Sequence, residues 1–481
     1  MKEMIKNDRY YFKFFSIILL IIFLSGCAGV TPTTYTITVT VGIGGQINPT
    51  GTVTVSEGEN QTFTITPDEC YQIDDVLVDG TSVGPVETYT FSDVNQNHTI
   101  QVNFVSNSRV YNIDTGIYYD TIQKAIYAAR SEETIIVCPG TYEENIIFNN
   151  ENLIVRSINP SDPTIVAATI IDGGGSGSVV RFEGGDTSTI EGFTIKNGNT
   201  TYGGGIYVSE SSPTIIGNTI SNNEASDGAG IYIYKSSPII TGNTLNDNKA
   251  TGSTASGGGI YSFESPSIID NNIIENNEAT SGGGIYVGTS FPIIINNIIQ
   301  YNKATTGGGF LIWNSSPTIE DNTITYNEAV FHGGGIFISY SSSLTITDNT
   351  ITDNTAGDDG GGISVYFSIF TITENTINFN SANRDGGGIY VYNSSLTVTG
   401  NTITGNTAYA EEGYGGGGIY VNIAGSLLPE TDWGTDRNNI PTSDPLIPAE
   451  GIEFEVSGNI FLGNKHGVPL EYTEGAHVYF E

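Results

Sequence analysis

Positive charge is scarce in this sequence: 16 Lys and Arg stand against 52 Asp and Glu in 481 residues, a formal net charge of −36. A surface that acidic repels polyanions unless cations intervene, which excludes nucleic acid as a partner. Cysteine is nearly absent, with three residues, so a disulfide-dense scaffold is ruled out. Cys70 and Cys138 allow one bridge in an exported chain, and nothing in the sequence requires it. His98, His332, His466 and His477 are too scattered along the chain to suggest a metal site by spacing. One long apolar run exists, Phe14–Leu24, and its roughly eleven residues fall short of the ~20 that a membrane span needs.

That run follows Lys2, Lys6, Arg9 and Lys13 and ends in Leu24-Ser25-Gly26-Cys27, the basic, apolar and small-residue order of a secretory signal. The ending resembles a bacterial lipobox. The resemblance implies removal of residues 1–26, lipid on Cys27 and attachment to a membrane, and Ala28 after it favours the outer membrane in a cell that has two. Residues 27–34 read as a tether.

From Gly203 the chain repeats itself. GGGIYVSESSPTIIGNTISNN returns in altered form at Gly228, Gly257, Gly282, Gly307, Gly333, Gly360, Gly386 and Gly415, every 25 to 30 residues, the mark of a solenoid. The last Gly of a cluster precedes an Asn by 13 residues in Gly205/Asn218, Gly230/Asn243 and Gly284/Asn297, and a second Asn follows five later. Length varies mainly between that second Asn and the next glycines, so one edge tolerates insertions. Ile206/Val208, Ile231/Ile233 and Ile285/Val287 are apolar at i and i+2, the alternation of a strand buried on one face, and no helical period competes. Each unit offers three short strands, as in 205–209, 214–217 and 219–222.

Stacked coils of this kind form a parallel β-helix. Asn218 and its equivalents are expected at sharp bends, where Asn tolerates a left-handed backbone, and to bond to one another along the axis. Glu224, Lys249, Glu278, Lys303 and Glu328 alternate in sign at one position, as in-register strands ~4.8 Å apart would favour.

The GGGIYV, SSPTI and NTIxxN elements resemble the right-handed parallel β-helix proteins of the pectin-lyase-like superfamily, from about residue 106 to the end. The resemblance implies an all-β solenoid, with three strands per coil and an N-terminal capping helix. It leaves function open, because the superfamily holds lyases, esterases, hydrolases, adhesins and noncatalytic surface proteins. The helix is expected over Tyr119–Arg130, with Asp120 and Gln123 at capping-box spacing, covering the open first coil. Ahead of it, residues 35–105 alternate as short strands, and Thr66–Gly80 resembles an internalin-B-type B-repeat with Cys70 where Gly is expected. This β-rich module shows no catalytic constellation and reads as a spacer or adhesive unit.

If Ile and Val face inward, the intervening positions face out. They carry Tyr207, Tyr232, Tyr261, Tyr286, Phe337, Tyr390 and Tyr420, beside a second column with Tyr234, Phe263, Trp313, Tyr366 and Tyr392. This is either an exposed aromatic ribbon suited to an extended glycan, or a set of rings that stack on one another with no ligand. Asp358-Asp359, Arg384-Asp385 and Glu411-Glu412 occupy equivalent turns just before the glycines, and an insertion over 423–450 carries Asp432, Trp433, Asp436 and Arg437. Turns and insertion would wall the aromatic face into a groove. The carboxylates suit glycoside hydrolysis as acid and base, or Ca²⁺ through oxygen ligands, or are solvated turns of an acidic protein. Polygalacturonase-type Asn-Thr-Asp, Gly-His-Gly and Arg-Ile-Lys motifs are absent. The expectation is a lipid-anchored cell-surface protein that binds carbohydrate or a surface partner without catalysis. A polysaccharide lyase or glycoside hydrolase, and a structural stalk, are the alternatives.

Overall fold

The computed structural model describes residues 32–107, 109–149, 152–409, 415–422, 454–466 and 477–480. It falls into two compact units, Met1–Asn107 and Ser108–Glu481. Within the described residues, no helix is long and apolar enough to cross a membrane.

The first unit pairs a five-stranded sheet with a three-stranded antiparallel one. The alternation read in its sequence places Ile37, Phe63, Val76, Ile100 and Val102 in one core. Cys70 takes φ +69, the left-handed backbone a glycine would supply at that turn. Cys70 and Cys138 are both disulfide-bonded.

The second unit is a parallel β-solenoid. A representative coil runs through face 1 (Ile206–Ser209), face 2 (Thr214–Ile216) and face 3 (Thr219–Ser221), the three expected strands. A short face 4 (Glu224–Asp227) joins them. Each strand pairs with its counterparts above and below, in sheets of 12, 14, 12 and 10 strands among the described residues for faces 1 to 4. Ile206, Val208, Ile215 and Ile220 and their equivalents form one buried column, at roughly 1.5–3 kcal/mol per side chain.

Polar ladders run beside that column. The Asn302 amide donates to Asn327 Oδ1 (3.0 Å) and to Ile274 O (2.8 Å), while its own oxygen accepts from Asn277 N and Nδ2 at 3.0 Å each. A parallel ladder passes through Asn218, Asn243 and Asn272. Serines make a third, with Ser236 N donating to Ser265 Oγ (3.1 Å) and Ser265 N to Ser290 Oγ (2.7 Å). The left-handed bends do not fall on these asparagines. They fall one residue earlier, at Gly217 and Asn271 before one ladder and at Asn222, Asp247 and Asn276 before the other, so the ladder Asn follows the corner and points inward. The glycine clusters have a different cause. Gly282 takes φ +64, and a Cβ on Gly283 would lie 2.5 Å from Lys303 O, so adjacent coils need bare backbone there.

The charge alternation stacks in register from Glu224 through Lys249, Glu278 and Lys303 to Glu328. Lys249–Glu278 (2.9 Å) and Lys303–Glu328 (3.0 Å) are exposed ion pairs, contributing well under about 1 kcal/mol each.

A helix closes the first coil, shorter than expected, over Ile122–Ala128. Thr121, not Asp120, is its N-cap, accepting from Lys124 N, and Glu144 accepts from Ile122 N and Gln123 N at 2.9 and 3.0 Å. A carboxylate just past the strand Gly140–Glu143 thus replaces the expected capping box, leaving Asp120 to pair with Lys124 Nζ (2.7 Å). Ile122, Ala125 and Ile126 enter the solenoid core.

Candidate functional site

Face 1 carries the aromatic columns, and in-register pairing puts equivalent rings one above another. Tyr207–Tyr232, Tyr232–Tyr261 and Tyr261–Tyr286 have centroids 5.5, 5.0 and 4.9 Å apart and planes within 5°. Arg181 caps the row, its guanidinium carbon 4.2 Å from the Tyr207 centroid. Tyr234 and Phe263 stack more loosely at 6.4 Å. These rings are half-buried, as are Trp313, Phe337 and Tyr392.

The expectation of an exposed ribbon of ring faces is therefore corrected. The ring faces lie against one another, so the upstream row offers solvent mainly edges and hydroxyl ends. Downstream, Tyr366, Tyr390 and Tyr420 are buried and form one cluster, with Phe337, Phe367 and Tyr392 packed against it.

The turn residue just before each glycine cluster forms its own column beside face 1. Tyr202 pairs with Asp227, Asp227 with Ser256, Ser256 with Ser281 and Ser281 with Thr306. The column continues through His332, Asp359 and Asp385, whose carbonyls each accept from a glycine N–H one coil back. Ser256, Ser281 and Thr306 are small and neutral, whereas Asp227 before them and the last three are ionisable.

Asp359 and Asp385 meet Arg384, and His332 meets Asp359. Asp359 is fully buried. Its Oδ1 accepts from Arg384 Nε (2.8 Å) and Asp385 N (3.2 Å). Its Oδ2 accepts from the Arg384 terminal nitrogen and from Tyr366 Oη (3.3 Å), with His332 Nδ1 at 3.4 Å. Burial alone would push the Asp359 carboxyl up, but hydrogen bonds from His332 and Arg384 outweigh it and hold it below the usual range. Asp385 is also buried, and burial together with the Asp359 charge pushes it up to about 7. Its Oδ1 has no hydrogen-bond partner among the described residues, and its Oδ2 lies 3.9 Å from Arg384 Nε. The Arg384 side chain is 40% exposed and forms the open side of the cluster.

The structure thus brings Asp359 and Asp385 together with Tyr366 and leaves Asp358 half-exposed on the rim. Glu411, Glu412, Trp433, Cys27 and the 423–450 insertion lie outside the described residues. No group of three or more His, Cys, Asp or Glu is placed to hold a metal ion among the described residues. Both Asp359 oxygens are already engaged by Arg384, which leaves little for the Ca²⁺ weighed above.

His332 was missed because its neighbours in the cluster are a full coil or more away in sequence. Its place immediately before Gly333, matching Asp359 before Gly360, was the available signal. Asp227 before Gly228 was missed for the same reason. Burial raises it to about 6 against one bond from Ser256 N (3.0 Å), and its charge acts on Tyr232, Tyr261 and Tyr286.

The family model described as right handed beta helix region matches residues 94–265 and 267–428. No curated protein matches the sequence. Among solved structures, the chain is similar to the Azotobacter vinelandii mannuronan C-5 epimerase AlgE6 A-module at 14% identity, over 72% of this chain and 90% of that one, with a TM-score of 0.34. It is similar to Dex49A from Penicillium minioluteum at 13% identity, over 88% and 73% of the two chains, with a TM-score of 0.30. PfbA, a surface adhesin of Streptococcus pneumoniae, is similar at 14% identity over 75% and 93%, with a TM-score of 0.25.

Proposed function

This chain belongs to the right-handed β-helix family, and from that premise we propose that it is an exported, lipid-anchored protein that binds a polysaccharide along face 1, centred on the His332–Asp359–Arg384–Asp385 cluster. The carrying observation is the fold's own control. Ser256, Ser281 and Thr306 hold the same turn position as His332, Asp359 and Asp385, so coil stacking has no need of charge there. Burying ionisable groups costs free energy unless they are fully paired, and Asp385 retains an oxygen that is unpaired among the described residues. A chain rich in hydroxyl groups supplies partners for that oxygen and for the row of phenol hydroxyls upstream.

The raised Asp385 supports a second reading, catalysis. A carboxyl poised near neutral pH is suited to protonate a glycosidic oxygen. The Asp359 charge, held by Arg384, would favour keeping that proton in place. Asp359 itself, with both oxygens engaged, acts as an anchor in this reading and not as a nucleophile.

The test is a polysaccharide array probed with the full chain, with released oligosaccharides read from the same wells. Binding without product, weakened at least tenfold by Asp385→Asn and by Trp313→Ala, is the expected result. Product release that disappears in Asp385→Asn moves the reading to a hydrolase, and silence in both readouts contradicts both. Anchoring through Cys27 predicts palmitate incorporation that is lost in Cys27→Ser.

A further inference from the structure

The upstream stretch of face 1 holds a carboxylate that no side chain of the fold neutralises. Asp227 stands in the turn column between Tyr202 and Ser256. Side chains of that column reach the rings of the following coil. The Tyr202 and Tyr232 centroids are 5.0 Å apart, and those of His332 and Tyr366 are 5.4 Å apart. Asp227 follows the same pattern, since its charge acts on Tyr261 of the next coil as well as on Tyr232 of its own. It is half-buried. Among the described residues its Oδ1 accepts from Ser256 N (3.0 Å), and no Lys, Arg or His pairs with it.

The protein's own cations show what this row of rings accepts. The Arg181 guanidinium carbon lies 4.2 Å from the Tyr207 centroid, and Lys235 Nζ lies 5.0 Å from that of Tyr234. Each is also tied to a carboxylate, Arg181 to Glu183 and Lys235 to Glu264. Phenol ring and carboxylate together thus hold a cation twice on this stretch. Asp227 with Tyr232 and Tyr261 presents the same two groups.

We propose that Asp227 binds the ammonium group of an amino-sugar chain lying along face 1. The inference rests on the polysaccharide reading above and names the class of sugar. The ammonium donates to the carboxylate while lying beside phenol rings, and the net charge of −36 draws a polycation toward the surface. A divalent cation fits less well, because it takes several oxygen ligands and no group of three or more His, Cys, Asp or Glu is placed to hold one among the described residues. A basic peptide finds no strand edge to extend, because the strands of face 1 pair along the axis with their neighbouring coils.

The test uses three β-1,4-linked hexamers that differ only at carbon 2, those of glucosamine, N-acetylglucosamine and glucose, with a lysine hexapeptide as the fourth ligand. Each is titrated into the full chain and into Asp227→Asn, slightly above the pH of about 6 at which Asp227 ionises, and the melting of both proteins is recorded. The expected result is that the glucosamine hexamer binds the parent at least tenfold more tightly than the other three. That advantage should shrink in raised salt and fall to about threefold or less in Asp227→Asn, whose melting and neutral-hexamer affinity are unchanged. Equal affinity for the three sugars overturns the proposal and leaves the polysaccharide reading standing. A preference that survives in Asp227→Asn, or a lysine hexapeptide that binds as tightly as the glucosamine hexamer, also overturns it. Failure of all four ligands overturns it too, and the polysaccharide array then decides the broader reading by itself.

Discussion

The upstream and downstream stretches of face 1 are built on the same register and differ in what lies beside them. From Tyr207 to Tyr286 the rings stack face to face beside turns that include Ser256 and Ser281. From Phe337 to Tyr420 they close over His332, Asp359, Arg384 and Asp385. The repeat fixes where a side chain sits, and the turn column decides whether its position serves packing or chemistry. Both stretches rest on the same isoleucine column and asparagine ladders, so differences between them report on the site and not on the scaffold.

The largest expected effect breaks the downstream stretch alone. Asp359→Ala leaves Arg384 and His332 without their shared acceptor in a buried site. It should cost about 3–5 kcal/mol in chemical denaturation, whereas Ser281→Ala at the equivalent upstream turn should cost under about 1 kcal/mol.

A difference in pH response comes next. Asp385 keeps its proton in the fold up to about 7, while the unfolded chain loses it near the ordinary ~3.9. Folding therefore binds a proton between those values. The contribution is full below about pH 4 and is lost as pH rises through about 7, on the order of 2–4 kcal/mol. Asp359 works in the opposite sense, stabilising above the ordinary carboxylate range and losing its contribution as pH falls below it. Melting against pH should show the decline toward neutrality in the parent and a flatter profile in Asp385→Asn, which should be the more stable of the two at pH 8. An unchanged slope would place the raised acid elsewhere.

The shared scaffold supplies a control of intermediate size. Asn302→Ala and Asn380→Ala each remove an amide that bonds to the coils on both sides. Each should cost about 2–3 kcal/mol, and the two values should agree within about 0.5 kcal/mol because the ladder is the same under both stretches. Smaller than these is Tyr261→Leu, which gives up ring contacts on both sides for about 1–2 kcal/mol.

What the sequence made legible was whatever repeats. The Ile206/Val208 alternation, the two Asn columns and the Glu224-to-Glu328 sign change each recur at fixed offsets, and each is found in the stacked coils. Features set by a neighbour in space were harder to read. The left-handed bend falls on Gly217 and not on Asn218, because the ladder needs the Asn side chain turned inward just after the corner. Glu144 displaces Asp120 at the helix start since it arrives from the turn after another strand. The exposure of Tyr390 and Tyr420 could not be read from alternation, which separates inward from outward but not outward from covered. The cluster was half visible. Asp359 and Asp385 stood out as paired turn residues, whereas His332 and Asp227 required counting back from each glycine cluster.

The most direct test of the account is binding of the full chain to the best polysaccharide from the array, compared between Asp385→Asn and Tyr286→Phe. Tyr286→Phe keeps the ring stack and removes only the hydroxyl. At least tenfold weaker binding in Asp385→Asn and a several-fold loss in Tyr286→Phe, with both proteins folded, are expected. Affinity equal to the parent in both would contradict it, and would leave the charged cluster on face 1 as a feature of packing alone.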